Sequence, residues 1–339
     1  MNDRRPAQTS TWPLRSYRSR GLFVAGLLLL LAVTFAASLA FSEAGPIWAI
    51  PFDDTDALQT EWSILYQLRL PRTLNAFGVG GLLALSGVLM QVLLRNPLAD
   101  PYVLGVSGGA SVGALLGLLL TGSIWVVYVS AFAGAWLVIA LVFIFALRGY
   151  GTDLAGSANW LLTGVAVAAF SGALSSLLLA LAPEGVLRGM ILWLLGDLSS
   201  GLWFPPVFIL FLSLLVTWPM ARRLNVMGLG SEIAHSLGLN ADRMRLQIYM
   251  LSALMTAFAV TSAGLVGFLG LIIPHALRLV VSNDHRWLIP ASVLAGANLL
   301  ILSDMVARLL LAPQQLPVGV VTSLIGAPMF LYLLRKRGR

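Results

Sequence analysis

The amino-acid sequence predicts an all-α membrane protein that crosses the bilayer about ten times. Of its 339 residues, 58% are hydrophobic and only 10% are charged, whereas soluble globular proteins carry about 25% charged residues. Apolar runs of about 20 residues, the length that a helix needs to cross the hydrocarbon core, recur along the whole chain. Arginines are concentrated in the connections between alternate runs, as is typical of polytopic membrane proteins.

Ten apolar segments define the predicted spans. They lie at roughly 21–41, 70–94, 103–121, 124–147, 159–182, 202–221, 246–266, 268–283, 287–310 and 317–334. Residues 1–20 contain five arginines and no apolar run, which predicts a cytoplasmic arm and not a cleaved signal peptide. Residues 21–339 are therefore expected to form a single transmembrane domain.

The distribution of basic residues predicts the orientation of the chain. If the N-terminus is cytoplasmic, then 17 of the 21 basic residues face the cytoplasm, and Arg69, Arg72, Arg188 and Arg308 face outward. This asymmetry follows the positive-inside rule, and it explains the net charge of +7 without any nucleic-acid partner. Both termini are expected to be cytoplasmic.

The polar residues exclude several classes of function. The only lysine, Lys336, does not follow a glycine-rich turn, so the chain is not a P-loop NTPase. All acidic residues fall in predicted loops, arms or helix ends, and the one nearest to a span interior, Asp304, is expected to pair with Arg308. Ion-coupled carriers keep ionisable groups at mid-membrane, and none is evident here, so the energy for any transport is expected to come from elsewhere. With no cysteine and three scattered histidines, the sequence predicts no metal site.

The segment RNPLADPYVLGVSGGA at 95–110 interrupts the apolar pattern. Its two prolines predict a tight cytoplasmic turn after the second span, with Asp100 in water, and its glycines allow the third span to pack closely. Gly105-Val-Ser107-Gly108 also matches the motif of rhomboid-type intramembrane serine proteases. The only histidine in a predicted span, His275, follows a proline and lacks the asparagine four residues later that this class favours, so we disfavour this alternative.

Two further patterns concern organisation. Gly87 and Pro97, like Gly264 and Pro274, stand ten residues apart on segments of opposite direction, which is the pattern of an inverted repeat.

The connection 222–245 contains a short predicted helix at 230–240, with Ser231 as N-cap and Gly238 just beyond the C-terminus. Ile233 and Leu237 stand four residues apart and so share one face of this helix. The sequence leaves two interpretations open, in which this face contacts either a partner or the rest of the same protein.

Six blocks in fixed order resemble one protein family over nearly all of residues 62–336. The blocks are RLPR (69–72), GVLMQVLLRNPLADPYVLGVSGGASVG (87–113), GSEIAHSLGLN (230–240), GFLGLIIPHALRL (267–279), DHR (284–286) and LPVGVVTSLIGAPMFLYLLRK (316–336). Together they resemble the permease subunits of type II ABC importers for vitamin B12, iron siderophores and haem, which have the BtuC-like fold.

The resemblance implies a subunit without enzymatic activity or bound cofactor in a bacterial inner-membrane importer. Two permease copies, identical or similar, form the pathway along their interface. Two cytoplasmic ABC ATPase subunits hydrolyse ATP, and a periplasmic binding protein delivers an iron chelate, such as a siderophore or haem, or cobalamin. The alternatives are a rhomboid-like protease and an ion-coupled secondary transporter.

The resemblance also implies roles for particular residues. Outward arginines would grip acidic residues of the binding protein: Arg69, Arg72 and Arg308. The ATPase would contact the 230–240 helix through Glu232, Ile233, Ser236 and Leu237. The cytoplasmic gate would comprise Asn96, Pro97 and Leu98, with Ser157 and Ala158 in the loop before the fifth span, although the family often has Thr-Ser there. The fifth and tenth helices would line the pathway through Thr163, Gly164, Ser171, Gly172, Ser175, Gly319, Thr322, Ser323 and Gly326. Helix packing is the alternative role for the small residues, and lipid contact or pairing with Asp304 for the arginines.

Overall fold

The computed structural model describes residues 16–42, 45–46, 55–147, 153–199 and 202–337. The elements are α1 (Tyr17–Ala40), β1 (Phe41–Ser42), β2 (Gly45–Pro46), α2 (Thr55–Ile64), a π turn (Leu65–Arg69), α3 (Leu70–Leu93), a 3-10 turn (Pro101–Leu104), α4 (Val106–Leu120), α5 (Ile124–Leu147), α6 (Asp153–Leu181), α7 (Glu184–Leu194), α8 (Phe204–Thr217), α9 (Ala221–Gly228), α10 (Ser231–Ser236), α11 (Ala241–Ala263), α12 (Leu269–Val280), α13 (His285–Leu309) and α14 (Val318–Arg337). Apart from the two-residue antiparallel ladder of β1 and β2, the described chain is helical, which confirms the all-α prediction.

Each of the ten predicted spans coincides with a helix of the bundle: α1, α3 to α6, α8 and α11 to α14. Among the described residues, six helices are long and apolar enough to cross a membrane alone, and α8 and α9 form a pair bent by 70°. The helices α4, α12 and α14 are apolar but shorter. The 12 residues of α12 rise only about 18 Å, so irregular segments complete some crossings.

The helix α3 forms the centre of the bundle and is buried on all sides from Gly78 to Val92. Small residues make this possible, because a Cβ atom on Gly80 would overlap the Gly296 carbonyl of α13, and one on Gly87 would overlap the Gly270 carbonyl of α12. The backbones therefore pack in direct contact, which is the usual way in which membrane helices associate.

The helix lengths repeat along the chain, as the inverted-repeat interpretation predicts. The order long, short, long, long describes both α3 to α6 and α11 to α14. In each half an irregular connection precedes the short helix, and in the second half Gly264 and Phe268 adopt positive φ angles of 66° and 69°. Such non-helical backbone is tolerated at membrane depth only where protein surrounds it.

The structure departs from the sequence prediction at two connections. Between the first two predicted spans the structure has α2, which continues through the π turn into α3. The helix α7 follows α6 directly and was not predicted. Ser157 and Ala158, expected in a loop, lie within the backbone of α6, where their side chains are outside the described residues.

Several elements meet at one end of the bundle. The ring of Tyr17 at the start of α1 lies 6.4 Å from that of Trp287 at the start of α13. Leu98, in the turn after α3, packs against the apolar cluster that contains Leu333 of α14. The helix α10 lies at this same end, which we call the α10 end. Because α13 crosses the bundle, Arg308 in its last turn lies at the opposite end.

Candidate functional site

The helix α10 is shorter than predicted, and its N-cap differs. Gly230 is the N-cap, with φ 118°, a conformation that only glycine adopts readily. Ser231, predicted as the cap, is instead the first helical residue, where it is buried and its hydroxyl accepts a hydrogen bond from Arg245. Gly238, with φ 78°, follows the C-terminus as predicted.

The outer face of α10 is apolar and exposed. Ile233 is 46% exposed and Leu237 is 64% exposed, and Leu229 just before the helix continues the same surface. Glu232 and Ser236 are exposed beside them, whereas Ala234 anchors the helix to the bundle. The face does not pack on this chain, and a cluster of exposed apolar side chains at the polar end of a membrane protein is typical of a protein interface.

The predicted gate residues form a tight turn. The Asn96 side chain accepts a hydrogen bond from the backbone N–H of Leu98 at 2.9 Å, and its carbonyl accepts one from Ala99 at 3.0 Å. Arg95 enters the turn with φ 48°, a strained value for a residue with a side chain. Leu98 packs against an apolar cluster that contains Leu271 and Ile272 of α12. The turn is therefore held on both sides, by its own hydrogen bonds and by α12.

The structure brings this turn next to α10. A Cβ atom on Gly230 would lie 3.2 Å from Nη1 of Arg95, so the N-terminus of α10 contacts the turn directly. Beside this contact is a cavity of about 550 Å³, which Pro97, Leu229 and Arg278 line together with other residues. A displacement of α10 would therefore act directly on the turn.

Asp100, at the end of this turn, is less exposed to water than expected. Its carboxylate caps the 3-10 turn by accepting the N–H of Tyr102 at 2.8 Å. Burial raises the pKa of Asp100 to about 6, against the lowering effect of this hydrogen bond. The sequence prediction that Asp100 stays in water is therefore corrected, because the short connection folds against the bundle.

A polar cluster, not predicted as a site from the sequence, lines the far wall of the cavity. Asn225 of α9 accepts from the backbone N–H of His285 at 2.9 Å, contacts its Nδ1 at 2.6 Å and donates to Asp284 at 2.9 Å. Partial burial raises the pKa of Asp284, but hydrogen bonds from Arg286 and Asn225 outweigh this and hold it at about 2. The start of α13 is thereby fixed to α9, the helix that leads into α10.

The same cluster continues to the central helix. Arg278 of α12 lies 3.4 Å from Nε2 of His285 and donates to the Gln91 side chain at 3.2 Å. Gln91 in turn donates to the carbonyl of Leu271 at 3.1 Å. A chain of polar contacts thus connects α9 with α3. The block DHR at 284–286 was the only part of this cluster that the sequence analysis singled out. The cluster could not be predicted from it, because Asn225 and Gln91 lie far away in sequence.

The small residues of α6 are divided between two faces. Gly164, Ser171 and Ser175 are buried, and the first two pack against Leu104 and Gly108 of the α4 region. Gly172 has open space around its Cα, and Thr163 is half-buried.

The residues of α14 show a similar division. Gly319 packs against the carbonyls of Leu195 and Leu265, Gly326 packs against Phe268, and the hydroxyl of the buried Thr322 donates to Gly319 at 3.1 Å. Ser323 is half-buried. On both helices, the expectation that these side chains face an open pathway is therefore corrected for the buried ones: Gly164, Ser171, Ser175, Gly319, Thr322 and Gly326. Each is turned toward neighbouring helices of its own chain.

The three predicted docking arginines come together at the end opposite α10. Arg72 and Arg308 bind the two oxygens of the buried Asp304 at 2.8 and 3.0 Å. Arg69 binds Glu61 at 2.7 Å, and only 5% of its side chain is exposed. We call these five residues the arginine cluster. Arg72 is the most exposed of its arginines, and its Nη1 also donates to Gln315.

The serine-protease motif has a structural role. Gly105, with φ 74°, joins the 3-10 turn to α4 and lies against Gly164, and Gly108 lies against Ser171. The Ser107 carbonyl accepts the hydroxyl of Ser111 at 2.9 Å, within the helix. The pattern of small residues is therefore explained by the contact of α4 with α6. Across the described residues, no group of three histidine or acidic side chains is arranged to hold a metal ion.

The comparisons with known proteins identify similar chains. The FecCD transport family matches residues 23–336. The hemin transport system permease protein HmuU of Yersinia pestis is 37% identical over 321 residues, which is 92% of this chain and 95% of that protein. The vitamin B12 import system permease protein BtuC of Escherichia coli is 38% identical over 325 residues, covering 94% and 96% of the two chains.

A solved structure shares the fold. It shows a metal-chelate type ABC transporter in an inward-facing conformation, is 32% identical and superposes with a TM-score of 0.83. The match covers 93% of this chain and 99% of the other.

Proposed function

The chain belongs to the FecCD transport family, and from that premise we propose that it is the permease subunit of an ATP-driven importer for haem, another iron chelate or cobalamin. Its relatives are named for hemin and vitamin B12, and the similar solved structure for a metal chelate. These cargoes are bulky, rigid chelates of a metal. A membrane domain without an acidic cluster among its described residues suits their passage, because it offers no competing ligands for the metal.

The observation that carries the proposal is the exposed apolar face of α10, formed by Leu229, Ile233 and Leu237. A chain without a P-loop lysine needs a separate ATPase, and this face is a surface on which such a subunit can act. Because Gly230 contacts Arg95, movement of α10 would be transmitted to the turn at 94–100. We assign Glu232, Ile233, Ser236 and Leu237 to the ATPase contact, and Asn96, Pro97 and Leu98 to the gate.

The arginine cluster suits the binding protein. Guanidinium groups pair with carboxylates in two-point geometry, and they remain charged at any physiological pH. Arg72 is the primary contact in this proposal, because its side chain is the most exposed of the three, at 12%, whereas Arg69 and Arg308 are buried in their pairs with Glu61 and Asp304. In this proposal Arg69 and Arg308 maintain the positive charge and the shape of the docking surface.

A second copy of the chain completes the pathway in this proposal. The exposed faces of α6 and α14 are largely apolar, with Phe170 70% and Leu324 69% exposed. The pathway would run between these faces, past Thr163, Gly172 and Ser323. The α10 end would face the cytoplasm of a bacterial inner membrane, in agreement with the arginine distribution.

Reconstitution tests the function. The permease, its ATPase and its binding protein are placed in proteoliposomes, and uptake of haem, a ferric siderophore and cobalamin is measured with and without ATP. We expect ATP-dependent accumulation of one of these chelates, and replacement of Ile233 by Asp should abolish both uptake and co-purification of the ATPase. The matched control is His235→Asp, which adds the same charge on α10 but removes no apolar contact.

Two outcomes would contradict the proposal. Uptake by the permease alone, driven by an ion gradient, would identify a secondary carrier. Full ATPase recovery with the Ile233→Asp variant would place the ATPase contact elsewhere on the chain.

A further inference from the structure

A groove of about 780 Å³ opens on the outer side of the bundle at the α10 end. Its walls come from the start of α1, the junction of α8 and α9, and the start of α13. The groove exists because the chain bends by 70° between Thr217 and Ala221, at a junction that contains Pro219. The start of α9 thus turns away from the axis of α8, and a notch remains between α8, α1 and α13.

The lining of the groove is divided by chemistry. Arg222 and Arg286 supply positive charge, and Tyr17, Trp218 and Trp287 supply aromatic rings. Val24 and Pro290, one or more turns further along α1 and α13, supply an apolar floor. Among the described residues, no acidic side chain lines the groove. Asp284 lies next to the groove, binds Arg286 at 2.8 Å and so offsets part of that charge.

Arg222 is the basic group best placed to bind an anion. It is exposed, and within the described part of the chain no hydrogen bond or ion pair engages it. Trp218, four residues earlier, is 58% exposed. Its indole ring and the guanidinium of Arg222 can therefore contact the same ligand in the groove. Arg20 lies nearby, with its guanidinium 5.8 Å from the ring of Tyr17.

The residues around the groove indicate that it lies at the level where the hydrocarbon core meets the polar headgroups. The basic residues Arg18 and Arg20 precede the apolar run of α1, which begins at Gly21. Along this run α1 is peripheral, and Leu22 and Leu29 are exposed, as is typical of a lipid-facing helix. Tyrosine and tryptophan concentrate at this same depth in membrane proteins.

We propose that this groove binds an anionic phospholipid, with Arg222 and Arg286 at the phosphate, the three aromatic rings at the glycerol level and the acyl chains against Val24 and Pro290. Basic pockets between helices on the cytoplasmic side are sites of this chemical kind. A free phosphate ion would use only the charged half of the groove. The apolar half is continuous with the exposed apolar face of α1. This half favours a lipid over a free phosphate ion, because a phosphate ion has no acyl chains to occupy it.

The test is lipid retention by the purified full-length protein. The protein is equilibrated in mixed micelles with equal amounts of phosphatidylglycerol and phosphatidylcholine, washed, and analysed by native mass spectrometry. We expect selective retention of phosphatidylglycerol and, for Arg222→Gln, a loss of about fivefold, the effect of one basic residue near an anionic surface. The matched control is Arg223→Gln, which removes the same charge from the next exposed position, outside the groove. Its retention should be unchanged.

Other outcomes overturn the proposal. Equal retention of the two lipids by the unaltered protein would show that the groove does not select an anionic lipid. Equal losses in both variants would show that surface charge alone accounts for the retention. No loss in either variant would place the lipid elsewhere. Displacement of phosphatidylglycerol by excess inorganic phosphate would identify a simple anion site. Because the readout does not involve transport, it is independent of the proposed import function.

Discussion

At the scale of single residues, one buried carboxylate organises the end of the bundle opposite α10. Both oxygens of Asp304 are used, one by Arg72 and one by Arg308. Removing one partner of such a buried pair leaves an uncompensated charge and costs about 3–5 kcal/mol. The pairing of Asp304 with Arg308 was predicted from their spacing of four residues, whereas Arg72 lies more than two hundred positions away.

The docking role of Arg72 predicts a selective effect on the response to the binding protein. Arg72→Gln should weaken stimulation of ATP hydrolysis by the binding protein roughly tenfold in apparent affinity at low salt, because it removes a charge-assisted pair. Arg188→Gln is the matched control, since it removes the same charge from an exposed arginine that is also predicted to face outward but belongs to no predicted contact. Glutamine is chosen because a glutamate would repel Asp304 directly.

The measurement is a titration of ATPase rate against binding-protein concentration, with the melting temperature as a check of folding. A normal titration curve for a well-folded Arg72→Gln protein would leave the arginine cluster with a purely structural role.

At the scale of elements, helix contacts through glycine determine how the bundle is assembled. Gly87 of α3 meets Gly270 of α12 backbone to backbone, and Gly109 of α4 meets Gly134 of α5 in the same way. The π turn before α3 also affects the assembly. Its wider winding changes the direction of the side chains that follow, and Arg69 at its end is buried and binds Glu61. Glycine positions are visible in the sequence, but their partners are not.

Replacement of Gly87 by Ala therefore tests the packing of the central helix. The added methyl group would overlap the Gly270 carbonyl, so we expect destabilisation by about 1–3 kcal/mol or more and a lower melting temperature. Gly172→Ala is the matched control, because nothing lies within 4 Å of its Cβ position. That variant should melt at the same temperature or slightly higher, since alanine favours the helix. Equal melting temperatures of the two variants would contradict the described contact of α3 with α12.

At the scale of the whole molecule, the two surfaces proposed to bind partner proteins lie at opposite ends of one bundle. The N-terminus of α10 contacts the proposed gate turn at one end, and the arginine cluster lies at the other. The helix α13 connects the two ends directly, from His285 in the polar cluster to Arg308. In the proposed importer, this arrangement separates the ATPase from the binding protein by the thickness of the membrane.

The orientation of α6 relative to the proposed pathway can be tested with single cysteines, because the chain contains none of its own. Ser176 is exposed on α6, and its neighbour Ser175 is buried against the same subunit. We expect a Ser176→Cys variant in the assembled importer to react with a water-soluble thiol reagent, and the matched Ser175→Cys variant to remain unreactive. The reaction is followed by mass spectrometry. Reaction of Ser175→Cys alone would mean that the opposite face of α6 lines the pathway.

The sequence by itself determined the fold class, the ten spans and the position of α10, since these depend on local apolarity and on the placement of glycine and proline. It also identified Ile233 and Leu237 as one face. The partners of Asp304, the polar cluster around Asn225 and the inward rotation of Ser171 and Gly319 were decided only by the tertiary structure. In a bilayer nearly every residue of a span is apolar, so hydrophobicity shows that a helix crosses the membrane but not which face packs against which neighbour. That choice depends on backbone contacts between residues far apart in the chain.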